Sequence, residues 1–336
     1  VNASSAPIGP DGDRWTGLLP LFREINDLKR IRSPELRPSI AAAWFRRAAS
    51  ALFHSPEPAS EAIRRHIAVR VTADVVSATR LGAITDADLG AGGLDSGVIR
   101  DLRTESIRER REALDAVSFA ALVDAIGMEA IEPSAVGEAD HDTDRVAADG
   151  GGPAGSPDWI ERLIAQPRAG ATAPGQPRIV LEPVESCAEH CLVTAAYAVL
   201  LAPSFEADPG DAFVIALAHH LHNARLPDAG FAGEALIGEH LDELIATLRR
   251  DTLAMMSPGA ATHLEPLLLD IGTADSPLAR TFHTADTIDR VLQIEYFSRC
   301  NDFTLDDALV GMELVHAGPI QTFQQEQLDM AGLGQA

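Results

Sequence analysis

Eight of the eleven histidines of this 336-residue chain fall between His190 and His316. Two of them, His219 and His220, are adjacent at the end of the apolar run DAFVIALA, and His222 follows two residues later. Neutral imidazole is a common metal ligand. A polar ring carried into an apolar interior costs free energy unless it finds a partner, and a bound cation would partner several rings at once. His190 in AEHCLVTAAYAVLLA and Asp286 in TADTIDRVLQIEYF lie in similar apolar surroundings. His190, His219, His220 and Asp286 thus offer N and O donors from separate helices, a normal way to build a metal site in a bundle.

The elements that must carry these residues read as almost wholly helical, so the fold class is all-α. Leu18, Leu21, Ile25 and Leu28 form one stripe of a helix over 15–31. Further helices are expected from Ser39, over 60–77, 98–111 and 119–131, and over 158–165. In the second half Ser186 is a plausible N-cap for a helix over 186–201. Helices over 211–225, 234–256, 278–299 and 306–317 follow, with a short segment at 263–269. Between them, 133–177 is rich in Gly, Pro, Asp and Ala, a linker composition. It holds His141 in DHDTD and a Gly-rich run, AADGGGPAGSP. Three units are expected: a helical domain over 14–132, an acidic linker over 133–177, and a metal-binding domain over 178–330.

Composition bounds the partners. A net charge of −23 argues against nucleic acid. No apolar run reaches the ~18 residues of a membrane span, and the first residues lack the pattern of a secretory signal. A cytoplasmic protein follows, and a homo-oligomer stays open. Cys187, Cys191 and Cys300 form no disulfide framework. Lys29 is the only lysine, and we attribute that scarcity to genomic bias.

Taken in order, AEHCLVTAAYAVLLA, VIALAHHLHNA and TADTIDRVLQIEYF resemble three ligand helices of the HD-domain superfamily of metal-dependent phosphohydrolases, closest to its 5′-deoxynucleotidase-type branch. The resemblance covers roughly 179–300. It implies an HD-like bundle, with His190, His219, His220 and Asp286 on a divalent transition metal (Mn, Fe, Co, Ni or Zn, one or two ions). The substrate would be a nucleotide or another small phosphate ester. Two departures stand out. His220 replaces the aspartate of the doublet, and Asn223 stands where the branch has an acid. Asp228 keeps a second acidic position and would handle the proton, and Arg225 would meet the phosphate. A second reading adds His240 and His263 as ligands of a mixed-valent di-iron oxygenase. A third is a non-catalytic binding or regulatory protein, favoured by the His220 and Asn223 departures. His222 and His283 are read as supporting groups, and His54, His66 and His316 as structural. The first half echoes the second, with Ala43 opposite His190, Ala73-Asp74 opposite the doublet and Asp124 near Asp286, as a degenerate HD-like repeat would.

Overall fold

The computed structural model describes residues 12–33, 39–55, 59–127, 156–299 and 303–334. His141, the glycines of the Gly-rich run, Cys300 and the prolines expected to end the first two helices lie outside the described residues. Among those residues the fold is all-α, with two isolated antiparallel bridges and no longer strand. The helices are α1 (Leu19–Asp27), α2 (Ile40–Phe53), α3 (Glu61–Leu81), α4 (Asp86–Ala91), α5 (Ser96–Arg108), α6 (Ala116–Gly127) and α7 (Asp158–Ala165). After them come α8 (Cys187–Phe205), α9 (Pro209–Ala218), α10 (Gly230–Ile237), α11 (Leu241–Leu253), α12 (Pro258–Asp270), α13 (Pro277–Ser298) and α14 (Gln321–Met330).

α8 is the centre. It is apolar on every side, and a helix of that kind belongs in a core; every residue from Cys187 to Ala202 is buried. By length and composition it could cross a bilayer, longer in apolar character than the sequence reading allowed, but here it is enclosed by protein. Its start is fixed by a capping box: the Ser186 side chain accepts from Glu189 N, and the Glu189 carboxylate accepts from Ser186 N at 2.7 Å. α9 and α13 pack on α8, α2 lies against it, and α3 packs on α9. One buried cluster runs from Trp15 to Leu333 through helices of both halves.

Several expected elements take another form. The stretch over 234–256 is broken into α10 and α11 at Gly238, whose φ of 60° no continuing helix adopts. The last expected helix shrinks to a π-type turn, Asp307–Gly311, and the final helix is instead the Gln-rich α14, which the apolar pattern does not signal. Within the segment expected as linker, α7 buries Trp159, Ile160, Leu163 and Ile164 against α2 and α8. Residues 166–187 then double back through the bridges Pro167↔Ser186 and Ala171↔Ile179.

Candidate metal centre

Two adjacent residues on a continuous helix point about 100° apart, so His219 and His220 could not face one point there. α9 ends at Ala218, and His220 leaves the helical region with φ −96° and ψ 22°. That break brings the two ring centroids to 4.1 Å and turns both rings toward α8. His190, one turn into α8, meets them from the other side, and Asp286 comes from the middle of α13.

The hydrogen bonds fix the tautomers. His190 Nδ1 lies 2.7 Å from Asp289 Oδ2, and a carboxylate only accepts, so His190 donates from Nδ1, and in the neutral ring the lone pair is on Nε2. His219 Nδ1 donates to the Ala216 carbonyl at 2.7 Å, which leaves its Nε2 unprotonated too. Those two Nε2 atoms stand 3.1 Å apart. Asp286 Oδ1 is 3.1 Å from the first and 3.7 Å from the second. Three acceptors facing one another repel unless a cation sits among them. Points so spaced lie on a circle of radius about 1.9 Å, inside the ~2.0–2.2 Å at which a zinc-type ion holds N and O donors. His190, His219 and His220 form a group that could hold a metal ion, and the Asp286 carboxylate stands within reach of the first two. Donation from the far ring nitrogen to a carboxylate or carbonyl is the arrangement that orients ligating histidines in metal sites.

Burial above all pushes His219 down to about 3, so it is neutral at physiological pH. Burial works against the Asp286 carboxylate, but neighbouring positive charge, Arg290 included, outweighs it and keeps the group ionised.

Behind His190 lies a network that sequence reasoning missed. Asp289 is fully buried and is held at 2.7 Å by Lys29 Nζ from the turn after α1, which also reaches Glu185 Oε1 at 2.5 Å. Asn26 adds a bond to Asp289 at 3.0 Å. Glu185, His190 and Asp289 also cluster as an ion site would, and the cation there is the Lys29 ammonium. The lone lysine, attributed above to genomic bias, is thus a buried counter-ion. Asp289 lies one helical turn after Asp286, a spacing that could have flagged it; nothing local points to a partner 260 residues away.

The other expected site residues fall out as follows. His220 is beside the cluster, with a ring nitrogen within 4.8 Å of those of His190 and His219. Both its nitrogens are engaged: Nδ1 donates to Asn223 Oδ1 at 2.7 Å, and Nε2 accepts from Arg168 Nη1 at 2.5 Å. Asn223, buried, orients His220 and donates to the Leu226 carbonyl. Asp228 borders the same cavity, but its carboxylate accepts from Ala169 N and Gly230 N at 3.0 and 2.9 Å. Burial raises its pKa, and Arg168 and these bonds more than reverse that, so the Asp228 carboxylate is held in its charged form. Arg225 is exposed and pairs with Asp251 at 3.0 Å, away from the cavity. His240 is exposed on the turn Gly238–His240. His263 pairs with Asp211 at 3.0 Å. Neither joins the donor cluster: the turn after α10 carries His240, and α12 carries His263 against Asp211. His283 bonds the Ile271 and Thr273 carbonyls, a satisfied ring. Opposite the doublet in the first half, Asp74 is tied to Arg103 at 2.7 Å and Arg70 at 3.3 Å, an ion-pair cluster with no histidine.

His219, His220 and Asp286 line a cavity of about 260 Å³. Arg168, Asp228, Glu234 and Arg290 give it charge, and Leu181, Ile294, Met312 and Leu314 give it apolar wall. His316, expected to be structural, stacks on Phe231 at 4.0 Å and borders the cavity. Compared with protein-family models, with curated proteins and with solved structures, the chain matches none.

Proposed function

We propose that this chain is an HD-type, metal-dependent phosphohydrolase acting in the cytoplasm on a nucleotide or other small phosphate ester. The observation that carries the reading is the convergence of the His190 and His219 Nε2 atoms with an Asp286 carboxylate oxygen, beside a cavity lined by His219, Asp286 and two arginines. His190, His219 and Asp286 would hold the ion, a set of two imidazoles and a carboxylate suited to Zn, Fe, Co, Mn or Ni. A bound ion of this kind lowers the pKa of water and polarises a phosphoryl oxygen.

The chain's own residues supply the rest. Arg168 and Arg290 face the negative charge of the ester, for which the guanidinium fork is shaped. The leaving alcohol needs a proton once the bond between phosphorus and ester oxygen breaks. Asn223 has none to give, and Asp228 is held ionised. Glu234 borders the cavity, and its pKa is raised by burial and by Asp228, so Glu234 is the carboxyl best suited to hold that proton. The di-iron reading lacks support, since it needs His240 and His263 as ligands.

The test is metal analysis of the purified protein, followed by assay on nucleoside monophosphates and simple phosphate esters with Mn, Co or Zn. We expect one ion per chain and hydrolysis that vanishes in His190→Ala and in Asp286→Asn. Metal bound with silence across the panel would leave the non-catalytic reading standing instead.

A further inference from the structure

We infer that Arg168, Arg290 and His220 form a phosphate-binding subsite beside the metal donors, so that the second histidine of the doublet serves the anion and not the ion. This deepens the reading above and rests on it only for the neighbouring metal.

The case begins with the His220 lone pair. Its Nδ1 proton is committed to Asn223, whose amide is oriented in turn by Leu226. The remaining Nε2 lone pair is the atom a metal would take, and the Arg168 guanidinium takes it. A cation and a guanidinium cannot share one lone pair. Arg168 is therefore anchored through Nη1 at the edge of the donor cluster, with its side chain 18% exposed.

The cavity's charges point the same way. Asp228 balances Arg168 at 3.8 Å from Nε, but that carboxylate is already bonded to two backbone amides. It offsets charge without occupying the fork. Arg290 is fixed through Nη2 on the Leu314 carbonyl at 2.6 Å. Two guanidinium groups in one small cavity repel, and each carries five N–H donors. A phosphate monoester dianion, or inorganic phosphate, matches both by bidentate charge-assisted bonds. An aspartate in place of His220 would set a further negative charge against that anion. The neutral imidazole removes it while still positioning Arg168.

Inorganic phosphate is the probe, titrated calorimetrically into the full chain, with metal content measured on the same samples. In Arg168→Met and Arg290→Met we expect phosphate affinity to fall about tenfold to a hundredfold, the range for hydrogen bonds to charged groups, with metal content unchanged. His220→Gln should likewise weaken phosphate and keep the metal. Loss of the metal in His220→Gln would make His220 a ligand and overturn the proposal, as would wild-type phosphate affinity in Arg168→Met. Phosphate binding that depends on the arginines in a protein silent on every ester would sink the hydrolase and keep the subsite.

Discussion

His190 has both ring nitrogens committed, one to Asp289 and one toward the shared donor centre, so its geometry depends on residues that touch no ion. Asp289→Asn should weaken metal affinity about 10–100-fold, the usual cost of losing an outer partner of a ligating histidine. Competition against a chromogenic chelator reads this directly, and the circular dichroism spectrum should not change. Lys29→Met removes the cation from between Asp289 and Glu185. Breaking a buried pair in this way costs about 3–5 kcal/mol, measurable by urea unfolding, and Lys29→Arg should cost less. The candidate donors were legible in the sequence because His190, His219 and Asp286 are polar residues on or near apolar helical faces. Lys29, Arg168 and Glu234 were not, because their partners are brought near only by tertiary packing.

At the level of elements, the site exists because one helix stops. Nothing in DAFVIALAHHLHNA announces a break after Ala218, and periodicity alone extends the helix to Arg225; the bonds of His219 to Ala216 and of His220 to Asn223 define the end. Gly230 is a second such point. Its φ is +65°, and a Cβ there would stand 2.4 Å from Thr172 Oγ1. Gly230→Ala should destabilise the protein by about 1–3 kcal/mol and displace the Asp228 turn from Arg168, lowering phosphate affinity as well. The capping box on Ser186 was readable from its residue types, and α7 was placed to the residue. α14 was not readable, since a Gln-rich helix buries little apolar surface and shows no stripe. α7 is clamped to α2 by Arg46 and Glu161 at 2.6 Å. Burial raises the Glu161 pKa, and Arg46 more than offsets it, so the folded value lies below the ordinary one. The clamp therefore contributes fully above the usual carboxylate range and is lost as pH falls through the depressed folded value. Stability measured from pH 7 down to pH 3 should decline there in the wild type, and Arg46→Met should flatten that part of the curve.

Over the whole molecule, the two halves expected as separate domains are joined by their chemistry. α1 reaches α13 through Arg23–Glu295 at 2.9 Å, and the turn after it does so through Lys29–Asp289. α3 reaches α9 and its cap through Arg64–Asp211 and Arg65–Asp208. A fragment spanning 178–336 would leave Asp289 and Glu185 without their cation and the apolar sides of α8 and α9 uncovered. We expect it to bind no metal and to bind hydrophobic dyes, whereas the intact chain unfolds in one cooperative transition in urea. All-α character was legible because helical spacing repeats along the chain; the merging of the halves was not, because composition suggested a tether where α7 and the cavity wall are built. One trait of this arrangement has a practical side. With its single lysine enclosed, the folded chain offers amine-directed acylating reagents no side-chain target. Modification at residue 29, followed by mass spectrometry, becomes a clock for how often the first helix lifts away from the ion's surroundings, and a tightly bound metal should slow it.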